Sequence, residues 1–144
     1  MITDKLLRVS EAQALTTTAV STDKIDLSTA RDMGEGEDLF MVFTVGTAMA
    51  GGTSINFQVT VADNEALTTN ATTIGMSGVI LTAALTAGAQ FMVRLNPLVG
   101  SLGRRYLGAT YTIVGTMSAG TVTADIVTDI QDGKKFYASG FTVA

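Results

Sequence analysis

Residues 54–61 read Ser54-Ile55-Asn56-Phe57-Gln58-Val59-Thr60-Val61, and their alternation decides the fold class. Ile55, Phe57, Val59 and Val61 fall on one side of an extended chain. Ser54, Asn56, Gln58 and Thr60 fall on the other, the period of two of a strand with one wet face. Upstream, Leu39, Met41, Phe43 and Val45 form one face of another strand, and Phe40 and Val42 lie on its opposite face. That strand is apolar on both sides and is expected to be covered on both. The link between the two runs, Gly46-Thr47-Ala48-Met49-Ala50-Gly51-Gly52, is rich in turn residues. The whole therefore reads as a β-hairpin.

The same plan recurs downstream. Arg105, Leu107, Ala109, Tyr111 and Ile113 alternate with Tyr106, Gly108, Thr110, Thr112 and Val114. After Gly115–Gly120 a strand returns over Thr121–Gln131. The turns resemble each other: Val45-Gly46-Thr47 with Ala50-Gly51, against Val114-Gly115-Thr116 with Ala119-Gly120. Shared turn chemistry explains this more simply than an internal repeat does. Shorter strands are expected over Lys24–Leu27, Ala71–Met76 and Gln90–Leu95, and one helical turn over Ser10–Leu15. Many short strands joined by Gly-rich turns specify an all-β, antiparallel sandwich or barrel.

The ends differ from the middle. Met1–Ser10 sets Asp4, Lys5 and Arg8 around Leu6-Leu7 and is expected to be an extended segment. The β domain is expected to occupy residues 1–131. Residues 132–144 form a C-terminal tail in which Phe136, Tyr137 and Phe141 sit among small residues, suited either to dock on a neighbour or to fold back.

Composition narrows the function. The chain has 144 residues, enough for one domain with a real core. It has no cysteine and no histidine, so disulfides, thiolate chemistry, Ser-His-Asp catalysis and histidine-ligated zinc are excluded. The net charge is −4 with no basic stripe, which argues against nucleic-acid binding. Leu39–Ala62 and Ala66–Val93 carry no charge, but glycines and alternating polar residues make them strands rather than membrane spans. No signal peptide or membrane partner is expected. Apolar residues make up 47% and charged residues only 15%, where about 25% is usual. A small domain with so few charges has either a surface rich in Thr, Ser and Gly or a part hidden by a partner, and both are expected.

The candidate chemical motifs are weak. Gly46–Thr53 nearly spells a phosphate-binding loop, but Gly52 stands where a lysine is needed and a strand follows where a helix should. Ser21-Thr22-Asp23-Lys24 matches a serine–lysine pattern without its companion motifs and reads as a turn. Asp32, Glu35, Glu37 and Asp38 form an acidic cluster, as do Asp63 and Glu65 around Asn64; neither has the spacing of a calcium loop, and both read as solvated loops. Asn70-Ala71-Thr72 fits a glycosylation acceptor. Arg104-Arg105-Tyr106 is either an interface hot spot or a strand end in solvent. No catalytic residue, metal ligand or cofactor is expected.

Asp4-Lys5-Leu6-Leu7, Glu11–Thr16, Ile25-Asp26-Leu27, Ala30-Arg31-Asp32, Gly34-Glu35-Gly36, Ala50–Ser54, Asp63-Asn64-Glu65 and Arg105-Tyr106-Leu107 with Tyr111 occur in order. In that combination the chain resembles the small capsid cement, or decoration, proteins of tailed bacteriophages, the type known from the Bordetella tropism-switching phage. The resemblance implies a jelly-roll-like β-sandwich that oligomerises, with a dimer favoured over a trimer. It implies a place on the outer surface of the virion capsid, bridging neighbouring major capsid subunits, and it supplies no catalytic residue. The tail after Gln131 departs from the family pattern. Expected capsid or oligomer contacts are Leu6, Leu7, Arg8, Arg104, Arg105, Tyr106, Phe136, Tyr137 and Phe141. A carbohydrate- or receptor-binding sandwich is the alternative; the absence of tryptophan for sugar stacking counts against it.

Overall fold

The computed structural model describes residues 3–28, 38–95 and 102–128. Eleven strands are assigned among them: β1 (Arg8–Ala14), β2 (Ala19–Val20), β3 (Ile25–Asp26), β4 (Phe40–Val45), β5 (Ala50–Gly51), β6 (Ser54–Ala62), β7 (Thr72–Leu81), β8 (Gln90–Arg94), β9 (Tyr106–Val114), β10 (Met117–Ala119) and β11 (Thr121–Val127). The first sheet has the order β1-β11-β4-β8 and the second β2-β9-β6-β7, with β3 also on β9. Every pairing is antiparallel. The all-β sandwich read from the sequence is the fold observed.

The inward faces follow the alternation. Met41, Phe43 and Val45 of β4 meet Ile55, Phe57, Val59 and Val61 of β6 in one core. Phe57 is its hub. It stacks on Phe43 at 4.8 Å and on Phe91 at 5.5 Å, and Tyr111 stands edge-on at 6.0 Å. Such offset and edge contacts stabilise beyond the area they bury. The Tyr111 hydroxyl shares a 2.6 Å hydrogen bond with Ser10 Oγ and so ties β9 to β1 across the sandwich. As expected, β4 is covered on both sides: Val42 is buried and Phe40 half-buried.

The two expected hairpins are not formed. β4 pairs with β11 in the first sheet, and β6 pairs with β9 in the second. The short strands between them, β5 and β10, pair with each other. Residues 40–62 and 106–127 are thus one long antiparallel ribbon that bends from sheet to sheet at the β5–β10 corner. A hairpin and a ribbon turning a corner share one signature, two alternating runs around a glycine-rich link. The glycines serve the close approach of the two segments. Gly51 has φ +70, and a Cβ there would lie 2.9 Å from Ser118 N and Thr116 O. The resemblance between the two turns reflects their meeting at the same corner.

Two further expectations are corrected. Ser10–Leu15 is no helical turn but largely part of β1, whose register slips between Arg8 and Ser10 and again between Ser10 and Gln13. Bulges shift the alternation and erase the strand pattern from the sequence. The strand expected over Ala71–Met76 continues to Leu81. It passes through Gly78, at φ +80, where its pairing with β6 is again irregular.

Candidate interaction surfaces

β6, β7 and β9 contain no charged residue. Their outward side chains form rows across the second sheet, set by register. Leu81 lies beside Ser54 and Val114, Val79 beside Asn56 and Thr112, and Met76 beside Gln58 and Thr110. Exposure reaches 56% at Met76, 72% at Val79, 61% at Leu81 and 55% at Val114. Sequence reasoning did not single out these four as a surface. For Met76, Val79 and Leu81 the signal was available in the charge-free run Ala66–Val93, but the bulge hid which side chains face outward; the alternation of β9 had already set Val114 opposite its core face. At the far end of the face, a Cβ on Gly108 would meet Ser21, Leu67 and Lys24, so the sheet is covered there.

Arg104, Arg105 and Tyr106 lie at that covered end. Arg105 forms a forked pair with Asp26 at 3.1 and 3.0 Å. Its guanidinium also lies 5.0 Å from the centre of the Tyr106 ring. The hydrogen bonds from Arg105 lower the Asp26 carboxyl to about 2. Arg104 reaches both oxygens of Asp63 at 3.1 and 3.2 Å. Asp63 is held below the usual carboxylate range, first by the Asn70 side chain and then by Arg104. Both arginines are therefore paired within the chain.

The N-terminal segment makes one 3-10 turn at Lys5–Leu7, capped by Asp4. Leu6 is 86% exposed and Leu7 lies at the margin of exposure. Arg8 follows inside β1, bound to Asp125 at 2.8 Å and to Glu11 at 3.1 Å. β1 is an edge of the first sheet and β7 an edge of the second. Tyr111 on β9 reaches β1, and Phe57 on β6 reaches β8. Leu6 and the Met76–Val79–Leu81 row thus stand at opposite edges of the sandwich. Phe136, Tyr137 and Phe141 lie outside the described residues, as do Asp32, Glu35 and Glu37 of the acidic cluster.

The remaining motifs are structural. Ser21 Oγ donates to the Asp23 carbonyl and accepts from Ala109 N–H, while Lys24 Nζ donates to the Thr22 carbonyl. Ser21 thus pins a turn to β9. Gly52 packs against Met117, leaving no cradle for a phosphate. Asn64 accepts from Thr68 N–H and Thr69 N–H, closing its own loop. Among the described residues no three acidic, histidine or cysteine side chains gather to hold a metal, and no helix is long and apolar enough to cross a membrane.

What the fold offers is surface: one open uncharged face and, at the opposite edge, an exposed apolar turn. Surfaces of that kind suit a structural protein. The sequence model of the Bbp16 family matches residues 9–126, and the chain belongs to that family, the Bordetella phage capsid-associated proteins. No curated protein matches the chain.

Proposed function

We propose that this chain is a capsid cement protein that sits on the outside of an icosahedral phage head and bridges neighbouring major capsid subunits. The observation that carries the proposal is the pair of apolar surfaces at opposite edges of one sandwich in a member of a capsid-associated family. Bridging needs two separated contacts, and exposed apolar patches bounded by polar residues mark such contacts. We assign the Leu6-Leu7 turn to the capsid. The nested pairs β1–β11, β2 and β3 on β9, β4–β8 and β6–β7 suit the winding of a jelly roll, and we read the sandwich as one. The tail from residue 132, with Phe136, Tyr137 and Phe141, belongs to the same assembly contacts in this reading.

The test is co-sedimentation with undecorated heads. The wild-type protein should pellet with the heads and protect them from heat or dilution. Leu6→Glu should remain largely in the supernatant while keeping its thermal transition. Removing the residues after Gln131 should weaken assembly and leave that transition nearly intact. A wild-type protein that stays free of heads across a range of salt ends the proposal.

A further inference from the structure

We infer that in the free chain the open face of β6, β7 and β9 is the seat of the chain's own C-terminal tail, with Tyr137 over Met76 and Phe141 over Leu81. The cement reading assigns this tail to assembly contacts on the head; the inference adds where it lies beforehand, as a cover that assembly lifts. Its test needs no capsid, so either reading can fail without the other.

The path of the chain brings the two together. Residues 129–144 lie beyond the last described residue, Thr128, and follow directly on β11. Val127 at the end of β11 pairs with Phe40, and Phe40 with Arg94 at the end of β8. Two strand spacings of about 4.8 Å put Val127 roughly 10 Å from Arg94. The Arg94 carbonyl oxygen lies 2.7 Å from where a Cβ on Gly75 would stand, and Met76 is the next residue. The tail therefore leaves the sandwich at the Met76 end of the exposed row, about 15–20 Å from it. The chain from Val127 to Tyr137 spans up to about 33 Å when extended, which covers that distance with slack.

Spacing then matches side chain to side chain. Met76, Val79 and Leu81 stand beside Gln58, Asn56 and Ser54, which are successive outward residues of β6. Gln58 and Ser54 are four strand residues apart, about 13 Å. Tyr137 and Phe141 are also four residues apart, so on an extended chain they share one side and the same span. Ser139 falls between them and is small enough to sit over Val79, the most exposed of the row. Tyr137 over Met76 brings an aromatic ring to a thioether, a favourable contact.

Charge agrees with this seat. Phe136–Val143 contains no charged side chain, and neither do the three strands beneath. No ion has to give up its water when they meet. Tethering decides which partner arrives first. A segment held on a short linker meets the face at an effective concentration in the millimolar range, above that of any partner at micromolar concentration. A contact too weak to form between separate molecules is then occupied.

The chain has no cysteine, so a pair of introduced thiols reports on this contact alone. Val79→Cys with Ser139→Cys leaves Met76, Leu81, Tyr137 and Phe141 in place. Under mild oxidation this variant should form a disulfide within one chain at least about tenfold faster than Gln90→Cys with Ser139→Cys. Gln90 is exposed at the far end of β8 and is no farther from Val127, so reach alone does not favour Val79. Adding Tyr137→Ser and Phe141→Ser should remove the difference. Where the paired variant loses its cooperative transition, Val79→Cys alone serves. A maleimide should label it several-fold more slowly than the same variant carrying Tyr137→Ser and Phe141→Ser. Equal rates in the two thiol pairs, or labelling that ignores the tail aromatics, overturn the inference. So does a disulfide that joins Val79→Cys to Ser139→Cys only between separate chains.

Discussion

The first sheet carries Arg8, Glu11, Arg94 and Asp125 on its strands, whereas the three long strands of the second carry no charge. The centre of the first sheet's outer face is also closed. Val42 and Val127 are each 2% exposed, and Asp125, 5% exposed, receives the Arg8 guanidinium. The second sheet leaves Val79 and its neighbours open. Both sheets contribute equally to the core, so the contrast is not about folding. A buried carboxylate is tolerated only because it is paired, and the first sheet meets that condition internally. On the three long strands of the second sheet no charge is present, and Met76, Val79, Leu81 and Val114 lie open to solvent.

Substitutions that test what the sheets share should have the largest effects. Phe57→Ala removes the ring that touches both sheets and should cost about 3–5 kcal/mol by urea unfolding. Loss of one sheet's signal before the other's would break the idea of a common core. Gly75→Ala should cost about 1–3 kcal/mol. Its Cβ would lie 2.7 Å from the Arg94 carbonyl oxygen, where β7 crosses close to β8. An unchanged midpoint would mean the two edges are free to part.

Tyr111→Phe should cost about 1 kcal/mol by removing the tie to Ser10. It should also remove a pH dependence. Burial raises the Tyr111 hydroxyl well above its ordinary 10.0. The unfolded chain ionises there near 10 and the folded chain does not, so stability falls as pH rises beyond 10. Asp26→Asn should act most weakly, and only in acid. With the folded carboxyl at about 2 against an ordinary 3.8, its contribution is full above 3.8 and disappears as pH falls towards 2. The variant should flatten the wild-type decline between those values.

Much of the fold was legible from single residues. The alternation at Ile55–Val61 and Leu107–Ile113 placed the core faces correctly, because a strand between a core and an outer face must alternate. Partner choice was not legible. Nothing in Phe40–Val45 says that it pairs with β11 rather than with β6, since pairing depends on where the chain goes after the corner. Bulges account for the remaining errors at β1 and β7: one extra residue reverses the apparent face of everything beyond it. The open patch fell inside such an error, while the more conspicuous Arg104 and Arg105 proved to be paired at home with Asp63 and Asp26.

The bent ribbon also bears on time. Arg8 is bonded to Asp125, 117 positions away, and at the corner Gly51 pairs with Met117 across a long stretch of intervening chain. Chains whose contacts are this distant in sequence close large loops before any pairing rewards them, and they fold slowly, in milliseconds to seconds. Most of the chain must therefore be released from synthesis before the central strands can pair. Opening the finished sandwich means undoing the ribbon in both sheets at once, so loss of the fold is governed by a barrier as well as by an equilibrium. For a virion-associated structural protein, that slowness is a form of durability.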